Sequence, residues 1–268
     1  MKGIVTRRAR RSDGSRLTDQ IAVEEPLEIR VASEAVSITM RTPGEDAKLA
    51  IGFLYAEGIV TSLADVGTVT HCGRPGDEGY GNVIEVTPAA GARLPLERAD
   101  AARRGTLTTA ACGVCGRRQI DDLLARVPTQ EIDAKVSARL LDDVGIRLRT
   151  KQKIFGETGG VHGAMVLAAD GAMLAMHEDI GRHNAVDKVV GDLLLSGRLG
   201  VGALLVVSGR SSFEIVQKAA MARLPIIASV SAASSLAIDL AQKAGITLVA
   251  YARGEKFNVY THAERLTA

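Results

Sequence analysis

Three short apolar segments separated by two amphipathic segments dominate the second half of the chain. The apolar segments at residues 203–207, 226–230 and 247–250 have the length and composition of buried strands. The segments 213–223 and 234–244 between them have the spacing of apolar residues that is typical of helices. Because strands that alternate with helices form parallel sheets with right-handed crossovers, this pattern predicts an α/β fold.

A hairpin and a polar run precede those segments. Residues 164–168 and 172–176 flank an Asp170-Gly171 turn, which predicts two antiparallel strands. Polar residues from Glu178 to Asn184 follow and lead into a helix with one apolar face. This polar density indicates either a functional site or a buried hydrogen-bond network, and the sequence favours neither.

The first hundred residues predict smaller elements. Alternation of apolar and polar residues indicates strands at 27–31, 36–40 and 83–86. A helix is predicted to begin near Asp46, since acidic residues suit the positive end of a helix. We therefore divide the chain into four regions: a basic, flexible tail (1–16), a small α+β N-terminal region (17–102), a mobile loop with two cysteines (103–118) and an α/β cofactor-binding domain (119–268).

Composition excludes several classes of protein. A net charge of +2 and 3% aromatic residues, with no Trp, argue against nucleic acid as a partner. No apolar run approaches the roughly 20 residues that cross a bilayer, and the charged N-terminus does not resemble a secretory signal. We therefore expect no membrane association and a cytoplasmic location.

Polar loops follow each predicted strand of the parallel sheet. They include Ser208, Arg210, Arg253 and Lys256, and two of the loops lead directly into helices. In an open α/β sheet ligands bind at the carboxyl ends of the strands, where helix N-termini and cations favour phosphate. The alternative is that the serines only cap helices. Neither a P-loop nor a G-x-G-x-x-G motif is present, so ATP hydrolysis and dinucleotide redox chemistry lose support.

The Cys112-Gly113-Val114-Cys115 motif admits three chemistries. Two thiolates at this spacing can bind zinc if two further ligands, for example His71 and Cys72, lie nearby. They can also undergo dithiol–disulfide exchange, or carry sulfur as a persulfide. The Gly-bearing polar surroundings predict a loop, which suits the last two chemistries. A deaminase H-x-E signature at His262 follows the cysteines instead of preceding them, so we interpret it as coincidence.

Several long motifs in order resemble one known family. They are the Cys112–Cys115 segment followed by Gly116, the segments 155–162 and 178–188, Ser208-Gly209-Arg210 with residues 213–219, and residues 253–260. This set is similar to the formate dehydrogenase accessory sulfurtransferases, the FdhD family, from about residue 20 to the end. A mild departure is the Ala110-Ala111 pair, at which hydroxyl residues are common.

The resemblance implies a sulfurtransferase mechanism. A cysteine desulfurase hands sulfur to Cys112, with Cys115 as a second carrier or a helper. The protein also binds the bis-molybdopterin guanine dinucleotide form of the molybdenum cofactor and transfers the sulfur to it, for use by formate dehydrogenase. A cytidine-deaminase-like three-layer sheet with helices on both faces and a homodimer are implied too. The implied cofactor-binding residues, which add to Ser208 and Arg210, are Tyr251, Ala252, Arg253, Gly254, Glu255 and Lys256.

Two alternatives and several residues stay open. The chain could be a cofactor chaperone without transfer chemistry whose cysteine pair holds zinc. The sulfurtransferase interpretation, which we favour, assigns no metal site. It could also be a thiol oxidoreductase with a Cys112–Cys115 disulfide. His162 is either a proton shuttle or a structural histidine, and Cys72 is by default a small buried apolar residue.

Overall fold

The computed structural model describes residues 3–74, 76, 79–98, 127–129, 134–254 and 256–268. Its longer elements follow one another as a series of strands and helices interrupted by short 3₁₀ turns. In chain order they are β1 (Ile4–Arg10), β2 (Arg16–Ala22), β3 (Glu25–Val31), β4 (Glu34–Arg41), α1 (Asp46–Ala56), β5 (Val66–His71), β6 (Val83–Pro88), β7 (Val136–Ser137), α2 (Val144–Lys151), α3 (Lys153–Thr158), β8 (His162–Leu167), β9 (Met173–Asp179), α4 (Arg182–Leu195), β10 (Leu204–Val207), α5 (Phe213–Met221), β11 (Ile226–Ser229), α6 (Ser235–Ala244), β12 (Thr247–Ala250), β13 (Asn258–Thr261) and β14 (Leu266–Thr267).

A six-stranded sheet in the order β13-β12-β11-β10-β8-β9 forms the centre of the second half. Strands β10, β11 and β12 are parallel, which confirms the α/β prediction. The β8–β9 hairpin is also confirmed, and it joins the same sheet because β8 pairs antiparallel with β10. Strand β13 adds an antiparallel edge that the sequence did not predict. The sheet is therefore mixed, with its parallel part at the centre.

Apolar residues that alternate along these strands build one core on each face of the sheet. One face packs against α4, α5 and α6 through Val186, Val189 and Leu240, among others. The opposite face packs against α2 through Val144 and Leu148. Helices thus cover both faces, and the arrangement has three layers. Before α2 the chain forms a 3₁₀ turn (Ala138–Leu141), and the α-helix begins at Val144.

A second, four-stranded sheet in the order β4-β3-β6-β5 lies in the N-terminal region. Its apolar face packs on α1, and α1 in turn crosses α4. Glycines permit this crossing, because a Cβ atom at Gly52 would lie 1.8 Å from the carbonyl oxygen of Asp187. At Gly191 it would lie 1.9 Å from the carbonyl oxygen of Lys48. The two backbones therefore touch, and they fix the position of one sheet relative to the other.

The first residues form a β-hairpin where the sequence interpretation expected a basic, flexible tail. β1 pairs antiparallel with β2 over their full length in a two-stranded ribbon. The turn between them is closed by the Asp13 carboxylate, which accepts the Ser15 amide at 2.8 Å, and by Gly14 in the left-handed region. Like-charge runs predict disorder, but here alternation and the Asp13-Gly14 turn outweigh the charge. The division into four regions otherwise remains a prediction.

In the part of the chain that the structure describes, no helix is both long enough and apolar enough to span a bilayer.

Candidate functional site

The carboxyl ends of β10, β11 and β12 lie at one edge of the sheet, as the sequence predicted. The loops that follow these strands are hydrogen-bonded to one another. The Ser211 amide donates to the Ala232 carbonyl at 3.0 Å, and the Tyr251 amide donates to the Ser231 carbonyl at 3.0 Å. Helices α5 and α6 begin here, so their positive ends point to this edge. The Ser234 hydroxyl caps α6 by accepting the Ala237 amide at 3.3 Å, whereas α5 has no side-chain cap.

Strands β8 and β9 bring further polar residues to the same edge. Because β8 runs antiparallel to β10, its first residue, His162, lies beside the end of β10. In the register of the hairpin His162 is opposite Asp179, the last residue of β9. Helix α4 then begins at Arg182, directly after β9. The sequence indicates His162 and the polar run from Glu178 to Asn184 as separate candidates. It does not predict that they are neighbours, because their proximity depends on the direction in which β8 joins the sheet.

A cavity of about 340 Å³ opens at this edge on the α2 side of the sheet. One part of its wall is apolar and another part is polar. Its lining consists of Gly145, Leu148, Arg149, Gln152, Phe155, Gly159, Gly160, Val161, His162, Ser208 and Val230. This combination of an apolar wall with a few polar groups is typical of sites for small ligands.

One polar side chain in the cavity wall has an unsatisfied donor. The Nε2 atom of Gln152 is buried and has no hydrogen-bond partner among the described residues. An unpaired buried donor costs roughly 1–3 kcal/mol, so a ligand that accepts its hydrogen bond would recover that energy. Arg149 lies with its guanidinium carbon 3.7 Å from the centre of the Phe155 ring, which holds both side chains at the cavity wall.

His162 lines the cavity, and its surroundings disfavour the protonated imidazole. Its Nδ1 atom lies 3.3 Å from the Ser208 hydroxyl, which also accepts the Gly163 amide at 3.0 Å. Burial lowers the pKa of His162 below 6.5, and the charges of Arg182 and His183 lower it further. His162 can therefore accept a proton or a hydrogen bond at neutral pH, and the Ser208 contact fixes its ring.

A buried ion pair accounts for much of the polar run. The Asp179 carboxylate is fully buried and lies 2.7 Å from the Lys188 ammonium group. It also accepts the amides of Thr42 at 3.2 Å and Gly181 at 2.8 Å, and the Asn184 side chain at 3.1 Å. The sequence allowed either a functional site or a buried hydrogen-bond network in this polar run. The contacts of Asp179 and Asn184 are those of a buried network. The network ties the N-terminal region to the edge of the central sheet.

Glu178 organises the wall of the cavity from behind. Its two carboxylate oxygens accept the amides of Ile154 and Phe155, each at 2.9 Å. These are free amides in the first turn of α3, and α3 supplies Phe155 to the cavity. Glu178 therefore acts on the cavity through α3 and not by direct contact with a ligand.

Arg182 and His183 remain at the edge itself. The His183 Nε2 atom lies 2.7 Å from the Glu214 carboxylate and 3.2 Å from the Ser212 hydroxyl. The hydrogen bond from His183 holds the pKa of Glu214 below its ordinary value. The Nε atom of Arg182 is buried without a partner among the described residues. A Cβ atom at Gly209 would lie 3.3 Å from Arg182 and from His162, so this glycine separates the two side chains.

The predicted cofactor-binding residues lie around the same edge in different environments. Ser208 lines the cavity, whereas Arg210 and Lys256 are exposed. The Arg253 guanidinium lies 5.8 Å from the centre of the Tyr251 ring. Ala252 is fully buried, and Gly254 has a φ of 152°. Glu255 lies outside the described residues. Their proposed contacts with a ligand remain predictions.

The predicted catalytic cysteines, Cys112 and Cys115, lie outside the described residues. Cys72 is free and half-buried, so it is more exposed than the expected buried apolar residue. Its neighbour His71 contacts the Asp46 carboxylate at 3.4 Å. Among the residues that the structure describes, no three His, Cys, Asp or Glu side chains come together as metal ligands.

The H-x-E motif at the end of the chain lies away from the site. The hydroxyl of Thr247, the first residue of β12, donates to the His262 carbonyl at 2.7 Å, so His262 lies at the amino ends of the parallel strands. Its ring nitrogens contact the Glu264 carboxylate at 3.1 Å and the Gln242 carbonyl at 3.0 Å. The motif thus lies at the opposite edge of the sheet from the cavity.

Comparisons with known proteins agree with one another. The model of the FdhD/NarQ family matches residues 22–267. A protein named sulfur carrier protein FdhD from Anaeromyxobacter sp. (strain K) is 53% identical, over 98% of this chain and 94% of its own length. A protein of the same name from Mycobacterium tuberculosis (strain ATCC 25618 / H37Rv) is 49% identical, over 93% and 92%. A solved structure described as a formate dehydrogenase accessory protein, from Desulfotalea psychrophila, superimposes with a TM-score of 0.75 at 25% identity, covering 98% of both chains.

Proposed function

The chain belongs to the FdhD/NarQ family, and from this premise we propose that it is a sulfur carrier that serves a formate dehydrogenase. The names of its relatives support sulfur transport. The cavity at the carboxyl edge of the central sheet is the single structural observation that supports a ligand-handling role, because it joins an apolar wall to polar side chains, among them the unpaired Nε2 donor of Gln152, at the edge where α5 and α6 begin.

In the proposed mechanism Cys112 accepts sulfur as a persulfide from a cysteine desulfurase. The Cys112 thiolate attacks the terminal sulfur of the desulfurase persulfide. A new S–S bond forms while the old one breaks, and the desulfurase cysteine leaves as a thiolate, so the exchange needs no external oxidant. Arg117 and Arg118 follow the motif in the sequence and favour the thiolate form. Cys115 serves as a second carrier or as a helper.

The acceptor in this proposal is the bis-molybdopterin guanine dinucleotide molybdenum cofactor, bound as a substrate. The described residues fit such a molecule. Arg210, Arg253 and Lys256 are exposed near the N-termini of α5 and α6, where phosphates would be stabilised. The cavity is too small for a whole dinucleotide but has room for one end of it, and Gln152 offers a hydrogen-bond donor there.

The same proposal extends to the finer features of the family. We take the central sheet to be cytidine-deaminase-like in its topology without deaminase chemistry, which fits the position of His262 at the far edge. We also propose that the protein acts as a homodimer in the cytoplasm. The sulfurtransferase activity would require the cysteine motif and the cavity to meet during transfer.

Intact mass spectrometry after incubation with a cysteine desulfurase and cysteine tests the carrier role. We expect wild type and Cys115→Ala to gain the mass of one sulfur and Cys112→Ala to gain none. Native mass spectrometry of the same samples reports bound zinc. Wild type that takes up no sulfur and retains a zinc ion would refute the sulfur-carrier proposal and favour a zinc-holding cofactor chaperone. A Cys112–Cys115 disulfide without persulfide would favour a thiol oxidoreductase.

A further inference from the structure

The β1–β2 ribbon has two chemically different faces. In an antiparallel pair, residues opposite each other share a face, and successive residues alternate between faces. The pairs Arg8–Thr18 and Arg10–Arg16 therefore lie on one face. The apolar pairs lie on the other face: Val5–Ile21 and Ala9–Leu17. The ribbon is thus amphipathic, with a basic face (Arg8, Arg10 and Arg16) and an apolar face (Val5, Ala9, Leu17 and Ile21).

The basic face lacks compensating charge. None of its three arginines forms an ion pair with a described residue, and all three are exposed. Arg10 and Arg16 are directly opposite each other, a like-charge pair that destabilises a ribbon. The two acidic side chains of the ribbon do not relieve this repulsion, because Asp13 lies in the turn and Asp19 faces Arg7 on the apolar face. An acidic surface against the basic face would remove the repulsion.

The apolar face is also left partly open. Ile21 is 41% exposed although it is a large apolar residue. A two-stranded ribbon is marginally stable in water by itself and gains stability when one of its faces is covered. Among the described elements, the ribbon packs on the body mainly through β2 against α3. The structure therefore has a projecting arm that combines an unpaired basic face with an uncovered apolar one.

The base of the ribbon lies beside the cavity. Gly3 is in close contact with Ile154 of α3, and Ala22 approaches Gly160. Gly160 and Phe155 of α3 both line the cavity. A protein held by the ribbon would therefore stand at the mouth of the cavity.

The distance along the ribbon decides what kind of molecule it can hold. Arg10 is six residues beyond Ile4, and at about 3.3 Å per residue it lies about 20 Å from the base. A basic face that extends about 20 Å from the cavity edge suits a macromolecular surface, which can contact the whole length of the ribbon at once. The apolar face suits a protein surface. Single-stranded nucleic acid would require stacking side chains, and no residue from 3 to 22 is aromatic.

We propose that the β1–β2 ribbon is a docking arm for an acidic surface of the cofactor-accepting formate dehydrogenase. The inference rests on the proposed function, because the protein that must come to the mouth of the cavity is the one that receives the cofactor from it. The arm holds that protein through its basic face and orients it through the apolar face. Attraction between opposite charges also speeds the encounter, which makes association sensitive to salt.

Charge reversal on the arm tests this assignment. The variant Arg8→Glu/Arg10→Glu/Arg16→Glu is compared with a control of equal charge change, Lys135→Glu/Arg139→Glu/Lys243→Glu, whose three residues are exposed elsewhere. Biolayer interferometry with cofactor-free formate dehydrogenase should show that the arm variant binds about tenfold or more weakly than wild type. The control should bind like wild type, and raised salt should reduce the difference between wild type and the arm variant.

Further readouts separate this inference from the proposed function. Loading of sulfur onto the arm variant by the desulfurase should equal that of wild type, and circular dichroism should show an unchanged fold. If wild type takes up sulfur and binds the dehydrogenase but the arm variant binds equally well, the docking arm is refuted while the sulfur-carrier role stands. The docking arm is also refuted if the charge reversal weakens binding to the desulfurase and leaves binding to the dehydrogenase unchanged. A third refuting result is duplex DNA that binds through the arm more tightly than the dehydrogenase does. Wild type that takes up no sulfur refutes the proposed function.

Discussion

The substitution Lys188→Met should destabilise the protein by about 3 kcal/mol. The Lys188 side chain is 3% exposed, and its ammonium lies 2.7 Å from the fully buried Asp179 carboxylate. Breaking a buried pair by removal of one partner costs roughly 3–5 kcal/mol, because a charge is left buried without compensation. The lower end applies here, since Asp179 keeps three N–H donors and methionine fills the space of the lysine stem. The carbonyls of Thr42 and Glu178 lose their donor in addition.

Urea unfolding at neutral pH of wild type, Lys188→Met, Asp179→Asn and the double variant measures this effect and its origin. We expect each single variant to lose about 3 kcal/mol and the double variant to lose about as much as one of them, which gives a coupling energy of about 2–3 kcal/mol. The control is Lys243→Met on the exposed face of α6, which should change stability by less than about 0.5 kcal/mol. A loss below about 1 kcal/mol for Lys188→Met, or strictly additive single variants, would refute the reasoning.

Two further predictions concern the helix crossing and the cavity histidine. Gly52→Ala should destabilise the protein by about 2 kcal/mol in thermal or urea unfolding, because the new methyl would meet the Asp187 carbonyl at 1.8 Å. The control is Gly156→Ala, whose new methyl has nothing within 4 Å, and it should be neutral or stabilising by up to about 1 kcal/mol. A Gly156→Ala variant that is less stable than Gly52→Ala would contradict the close helix crossing. His162 should titrate below 6.5 in an NMR pH series. Since the unfolded state then binds more protons, His162 should lower stability as the pH falls through about 6.5, and wild type should lose more stability than His162→Gln between neutral and acidic pH.

The sequence by itself determined the local elements. Alternation of apolar strands and amphipathic helices predicted β10 to β12 with α5 and α6, and turn chemistry at Asp170-Gly171 predicted the β8–β9 hairpin. Strands β3, β4 and β6 and the start of α1 near Asp46 were predicted in the same way. The edge at which Ser208 and Arg253 lie followed from topology alone, because carboxyl ends of parallel strands meet. Several long motifs in order, from Cys112 to residue 260, also identified the family.

The tertiary structure decided what those elements do together. The direction in which β8 joins the sheet brings His162 to Ser208, and no local pattern encodes the direction of a strand. The environment of Asp179 required the fold as well, since only packing of Thr42 and Lys188 around the carboxylate distinguishes a buried network from an open site. In the sequence the ribbon is only a basic segment, and the pairing of β1 with β2 decides which face each of its residues lies on. Sequence patterns report local energetics, whereas proximity, burial and the pairing of charges arise only when distant segments meet.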